Sequence, residues 1–67
     1  MISKRDAYRS AQILIEEQGA GAFAHAAGRA SGFVMEGDAD QAKTWRRIAE
    51  AIRELQRLQP EAGETLH

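Results

Sequence analysis

Apolar residues recur along this chain at steps of three and four, a rhythm that predicts helix almost throughout. The clearest stretch is 39–58. There Ala42, Trp45, Ile48, Ala49, Ile52 and Leu55 fall on one side of a helix. Lys43, Arg46, Arg47, Glu50, Arg53, Glu54 and Arg57 fall on the other, while Ala51 and Leu58 lie off the main stripe. In 3–18, Ala7, Ala11, Leu14 and Ile15 make the apolar side, with Tyr8 at its margin. In 21–36 the heavy stripe is Phe23, Ala26, Ala27, Ala30, Phe33 and Val34, with His25, Arg29, Gly32 and Glu36 opposite. A third strip of that helix, Ala20, Ala24, Gly28 and Ser31, holds only small residues until it ends at Met35.

The boundaries carry their own chemistry. Ser3 suits an N-cap, with Asp6 three residues on. Gly19 suits a left-handed stop after Gln18, and Gly37 another after Glu36. Asp38 can cap the third helix with Gln41 completing the box, and Asp40 favours the positive helix start. Pro60 ends the third helix at or before Gln59. The expected fold is all-α: a small three-helix bundle with short turns, helices at 3–18, 21–36 and 39–58 in one domain, 1–59, and a flexible tail, 60–67. Its expected core centres on Trp45, Ile48, Ile52, Leu55, Phe23, Ala27, Ala30, Val34, Ala11 and Leu14.

Two features run against local preference. Lys4, Arg5 and Arg9 sit near the N-terminus of the first helix, and Glu16 and Glu17 near its C-terminus, opposite to what the helix macrodipole favours. Gly28 and Gly32 each cost about 1 kcal/mol relative to alanine inside a helix. A small-residue strip lets another helix axis come close, and the expected user is the first or third helix of the same chain, with a second subunit as the alternative.

Composition narrows the field. One domain is all that 67 residues provide, and so short a chain buries about 60% of its unfolded surface. Hydrophobic residues are 43%, but many are alanines, so the core is expected to be thin. With no cysteine, disulfides and thiolate metal sites are excluded. A net charge of −1 does not favour bulk nucleic-acid binding. No apolar run approaches a membrane span, and the basic start lacks the apolar region of a secretory signal, so a cytoplasmic protein is expected.

Chemistry is sparse. His25 has no acid or second histidine within a turn on its helix, and His67 is remote, so no metal site is expected. Nothing pairs Ser3, Ser10, Ser31, Thr44 or Thr65 with a base, and a domain this small leaves little room for a pocket; no catalytic residue is expected. The glycines at 19 and 21, and at 28 and 32, match no phosphate loop, so no cofactor is expected. A basic side made by Lys43, Arg46, Arg47, Arg53 and Arg57 loosely suggests a nucleic-acid contact after a helix-turn-helix. Glu50 and Glu54 interrupt that side, and Asp38 and Asp40 stand at the helix start, where such a motif meets phosphate.

Ala11, Leu14, Ala27, Arg29, Ala30, then Gly37-Asp38, then Trp45, Ile48, Ala51, Ile52 and Leu55 form a pattern, W-x-x-I-x-x-A-I-x-x-L after a Gly-Asp turn. Over 7–57 this resembles a group of short bacterial all-helical proteins whose domain has no assigned function. The resemblance implies a compact helical domain and brings no activity, cofactor or catalytic residue.

The leading expectation is a non-catalytic helical protein–protein interaction module, self-associating or docking on a larger protein. Ile2, Ile13, Ala24, Gly28, Phe33 and Leu58 are its candidate partner contacts, because a monomeric bundle has no evident use for them. The alternative is a small nucleic-acid-associated regulator using the basic side of the third helix. Neither a membrane nor a small-molecule substrate is an expected partner.

Overall fold

The computed structural model describes residues 2–58. Its elements are α1 (Lys4–Gln18), a 3-10 turn at Gly19–Gly21, α2 (Ala22–Met35) and α3 (Ala39–Leu58). About 91% of the described residues are helical, with no strand among them, so the fold is all-α. The expected tail at 60–67 lies outside the described residues.

Each end is built as its residues dictate. The Ser3 side-chain oxygen accepts the Asp6 backbone N–H at 3.1 Å and starts α1. Asp38 does the same for Gln41, also at 3.1 Å, and starts α3. Between α2 and α3 the Asp38 N–H donates to the Phe33 carbonyl at 2.9 Å, and the Gly37 N–H to the Val34 carbonyl at 3.0 Å. That pair of bonds is a Schellman motif, and it requires the positive φ of 81° that Gly37 adopts. Gly19 departs from its expected left-handed form. Its φ is 54° but its ψ is −123°, a mirror-image extended conformation open to glycine. Its N–H still closes α1 on the Ile15 carbonyl, and its carbonyl accepts the Gln56 side-chain amide of α3 at 3.1 Å. The corner between α1 and α2 is thereby tied to α3.

Helix α3 organises the rest. It packs along both α1 and α2, whereas α1 and α2, joined through a single 3-10 turn, touch each other far less. This explains why α3 buries more than one stripe. Ala42, Ile48, Ala49, Ala51 and Ile52 are all buried, with Trp45 and Leu55 half-buried beside them. Ala51, off the main stripe by periodicity, is only 5% exposed because a helix with two neighbours needs an arc about twice as wide as one stripe.

The core is largely alanine. Ala7 and Ala11 of α1, Ala22 and Ala26 of α2, and Ala49 and Ala51 of α3 form one buried cluster with Ile48 and Ile52. Ile2, Tyr8, Leu14, Ile15 and Phe23 close over its edges. The expected core needs correction on α2. The buried row is Ala22, Ala26 and Ala30; Ala27 is half-buried, and Val34 is 51% exposed. The heaviest residues of α2 marked the wrong line, because the isoleucines of α3 fill holes that only alanines opposite leave open.

Two stability outcomes follow. Among the described residues Ile52 is the one large side chain buried completely, so Ile52→Ala removes about 2–5 kcal/mol. Thermal denaturation followed by circular dichroism will show whether the variant is unfolded or nearly so at room temperature. Enlarging a contact point, as in Ala26→Leu, costs about 1–3 kcal/mol through overpacking; a gain in stability on urea titration would contradict the close packing.

Candidate interaction surface

Among the described residues no group of three or more His, Asp or Glu side chains lies close enough to hold a metal ion. Three surface features stand out instead.

The first is a stack on α2 and α3. His25, Arg29 and Phe33 lie four residues apart along α2, and helical spacing brings them to one side. The Arg29 guanidinium lies 5.3 Å from the Trp45 ring centre and 5.8 Å from that of Phe33. His25 meets the same tryptophan edge-on, with centroids 6.0 Å apart and planes at 70°. His25 and Arg29 are expected on the side of α2 opposite the heavy stripe that holds Phe33. They instead meet Trp45, and Arg29 bridges to Phe33, while both remain exposed. The stack accounts for Arg29, the one formally charged side chain in α2.

The second is an open groove of about 570 Å³ between α2 and α3. Phe23, Ala27, Ala30, Val34 and Met35 supply its apolar wall, and Arg46, Glu50 and Arg53 its far rim. Arg53 lies over the Phe23 ring at 5.5 Å, at the end of the groove near the start of α2. The third is an open groove of about 450 Å³ where Lys4, Ala7 and Tyr8 of α1 face Arg47, Glu50, Glu54 and Arg57 of α3. Both volumes exceed what so short a chain was expected to offer, because each lies open between helices rather than enclosed.

The candidate partner contacts do not form one patch. Ile2 is half-buried against the core, and Phe33 is half-buried beneath Arg29. Ile13 is exposed on α1 and Leu58, at 74%, near the end of α3. Ala24 and Gly28 are exposed together on α2, with Ser31, Gly32 and Met35 beside them. Among the described residues, and beyond its chain neighbours and its own helix backbone, a methyl group added at Gly28 or Gly32 would meet no atom within 4 Å. The small-residue strip is therefore not used by α1 or α3, contrary to expectation. Val34 and Met35, at 51% and 87% exposure, extend this uncharged face and were not among the candidates. Their signal in the sequence was the absence of any charge on that side of α2.

The five cations of the alternative reading, Lys43, Arg46, Arg47, Arg53 and Arg57, are all exposed. Arg47, Arg53 and Arg57 line the α1–α3 groove together with Lys4, Glu50 and Glu54; Arg46, with Arg53 again, rims the α2–α3 groove, and Lys43 lines neither. No helix among the described residues is long and apolar enough to cross a membrane.

Comparison with protein-family models, with curated proteins and with solved structures finds no match.

Because Arg29 screens the tryptophan through cation–π contacts, each worth about 0.5–1 kcal/mol when exposed, Arg29→Ala lowers stability by about 1 kcal/mol and changes the Trp45 emission. Arg47→Ala, on the far side of α3, leaves that emission unaltered. Steady-state fluorescence of the two variants at matched concentration distinguishes them.

Proposed function

We propose that this protein is a non-catalytic helical interaction module, a small three-helix bundle centred on α3 that presents the uncharged outer face of α2 to a protein partner. The observation that carries the reading is the state of that face. Ala24, Gly28, Ser31, Gly32, Val34 and Met35 are exposed together, and no charged side chain interrupts them. A solvent-facing helix surface is ordinarily polar. Gly28 and Gly32 lower helix stability without meeting any neighbour in the chain. Close approach by a second molecule gives both features a use. Residence in the cytoplasm belongs to the same proposal.

The nucleic-acid alternative draws on the same α3 arginines, three of which, Arg47, Arg53 and Arg57, share one groove with Lys4, but Glu50 and Glu54 line that groove with them and interrupt the track for phosphates.

Two experiments test the reading. In dilute solution Gly28→Ala and Gly32→Ala each raise stability by about 0.5–1 kcal/mol, seen as a rise of several degrees in the melting temperature; destabilisation would mean that the chain itself needs those glycines. Affinity capture from the native host with the wild type and with an Ala24→Arg/Gly28→Arg variant gives the functional answer. The wild type retains a partner that the variant loses. Identical capture by both, or none by the wild type, would overturn the module.

A further inference from the structure

We infer that the partner of the α2 face is a second copy of this chain, paired so that each copy lays α2 into the α2–α3 groove of the other. This rests on the interaction-module reading and names its partner.

A two-fold pair brings a surface against itself, so a charge close to the axis meets its own copy, and a self-pairing face is best uncharged there. The outer face of α2 meets this condition: between Ala22 and Met35 the single formal charge, Arg29, is drawn to the Trp45 and Phe33 side. A two-fold axis across α2 also makes the two helices antiparallel. With the axis at the level of residue 29, Ala27 of one copy faces Ser31 of the other, and Phe23 faces Met35.

Charge at the helix ends complements this arrangement. Helix α2 has no basic residue in its last turn, and Glu36 follows it directly, so its negative end has no cation of its own helix. Arg53 lies over Phe23, at the opposite end of the groove. Antiparallel pairing carries the C-terminal end of one α2, with Glu36, to Arg53 of the other copy. Area points the same way. A helix of 14 residues is about 21 Å long, and a stable interface needs about 800 Å² from each partner. One helix face falls short of that. A helix seated in a groove, touching α2 and α3 together, approaches it, and Val34 and Met35 then become core residues of a four-helix arrangement.

Sedimentation equilibrium of the full chain, from micromolar to millimolar concentration, tests the pairing. The wild type shifts from monomer to dimer across that range. Ser31→Arg, which places two guanidinium groups near the axis, weakens dimerisation by about tenfold or more with an unchanged circular dichroism spectrum. Arg53→Glu and Glu36→Arg each weaken it, and the two combined restore it. A wild type that stays monomeric throughout overturns the pairing, as does a dimer indifferent to Ser31→Arg, or a combined variant no better than the worse single one. A monomer that nonetheless captures a host protein through Ala24 and Gly28 refutes the pairing while leaving the module intact. A monomer that captures nothing refutes both.

Discussion

Everything in this molecule depends on α3 having two neighbours at once. One helix with a single apolar stripe can bury itself against one partner. Here Ile48, Ala49, Ala51 and Ile52 are buried within a single turn and a half, so half the circumference of α3 is removed from water. That geometry sets the rest. Helices crowded against α3 on two sides must present small residues, and Ala7, Ala11, Ala22, Ala26 and Ala30 do so. Little apolar area is buried per residue, and the deficit is met by close approach and by well-made helix ends. The Gln56 amide on the Gly19 carbonyl adds a polar tie where α1 turns into α2. That polar contact joins residues 37 positions apart.

The same economy explains the exposed apolar surface. A helix that gives its alanine row to the core has its larger residues elsewhere. On α2 these are Val34 and Met35, and the outer side carries glycine, alanine and serine instead of the usual charges. In a chain of 67 residues with a thin core, burying that side against another molecule adds stability that the chain alone lacks. Under the proposed function, binding and folding are in this sense coupled: a partner covering α2 would also strengthen the unit.

The sequence made the ends and periods legible because local chemistry decides them. Ser3, Gly37 and Asp38 act where short-range rules place them, although the Asp38 N–H goes to the Phe33 carbonyl rather than to the Gln41 side chain. Both ends of α1 and α2 and the start of α3 fall within a residue of expectation. It was less informative wherever a third body decides the outcome. Ala51 looked peripheral because periodicity assumes a single neighbour. Val34 looked central because bulk was taken as a sign of burial, when the facing isoleucines selected alanine. Gly28 and Gly32 point to close packing, and nothing local could tell that neither α1 nor α3 packs on them. The pairing of Arg29 with Trp45 and Phe33 was equally hidden, since it depends on how α2 is rotated against α3. The candidate surface is half legible in the sequence: Ala24 and Gly28 are candidate contacts and Met35 ends the same strip, while the bulk of Val34 points to the core instead.

The central claim is that α3 holds the fold while the outer face of α2 is surplus to it. Residue-resolved amide hydrogen exchange on the full chain, in dilute solution and again concentrated, addresses both halves together. The account predicts that the amides from Ile48 to Ile52 are the slowest at either concentration, and that the amides of α2 gain protection only when the chain is concentrated. Slowest exchange within α2 in the dilute sample, or α2 protection that concentration does not change, would contradict it.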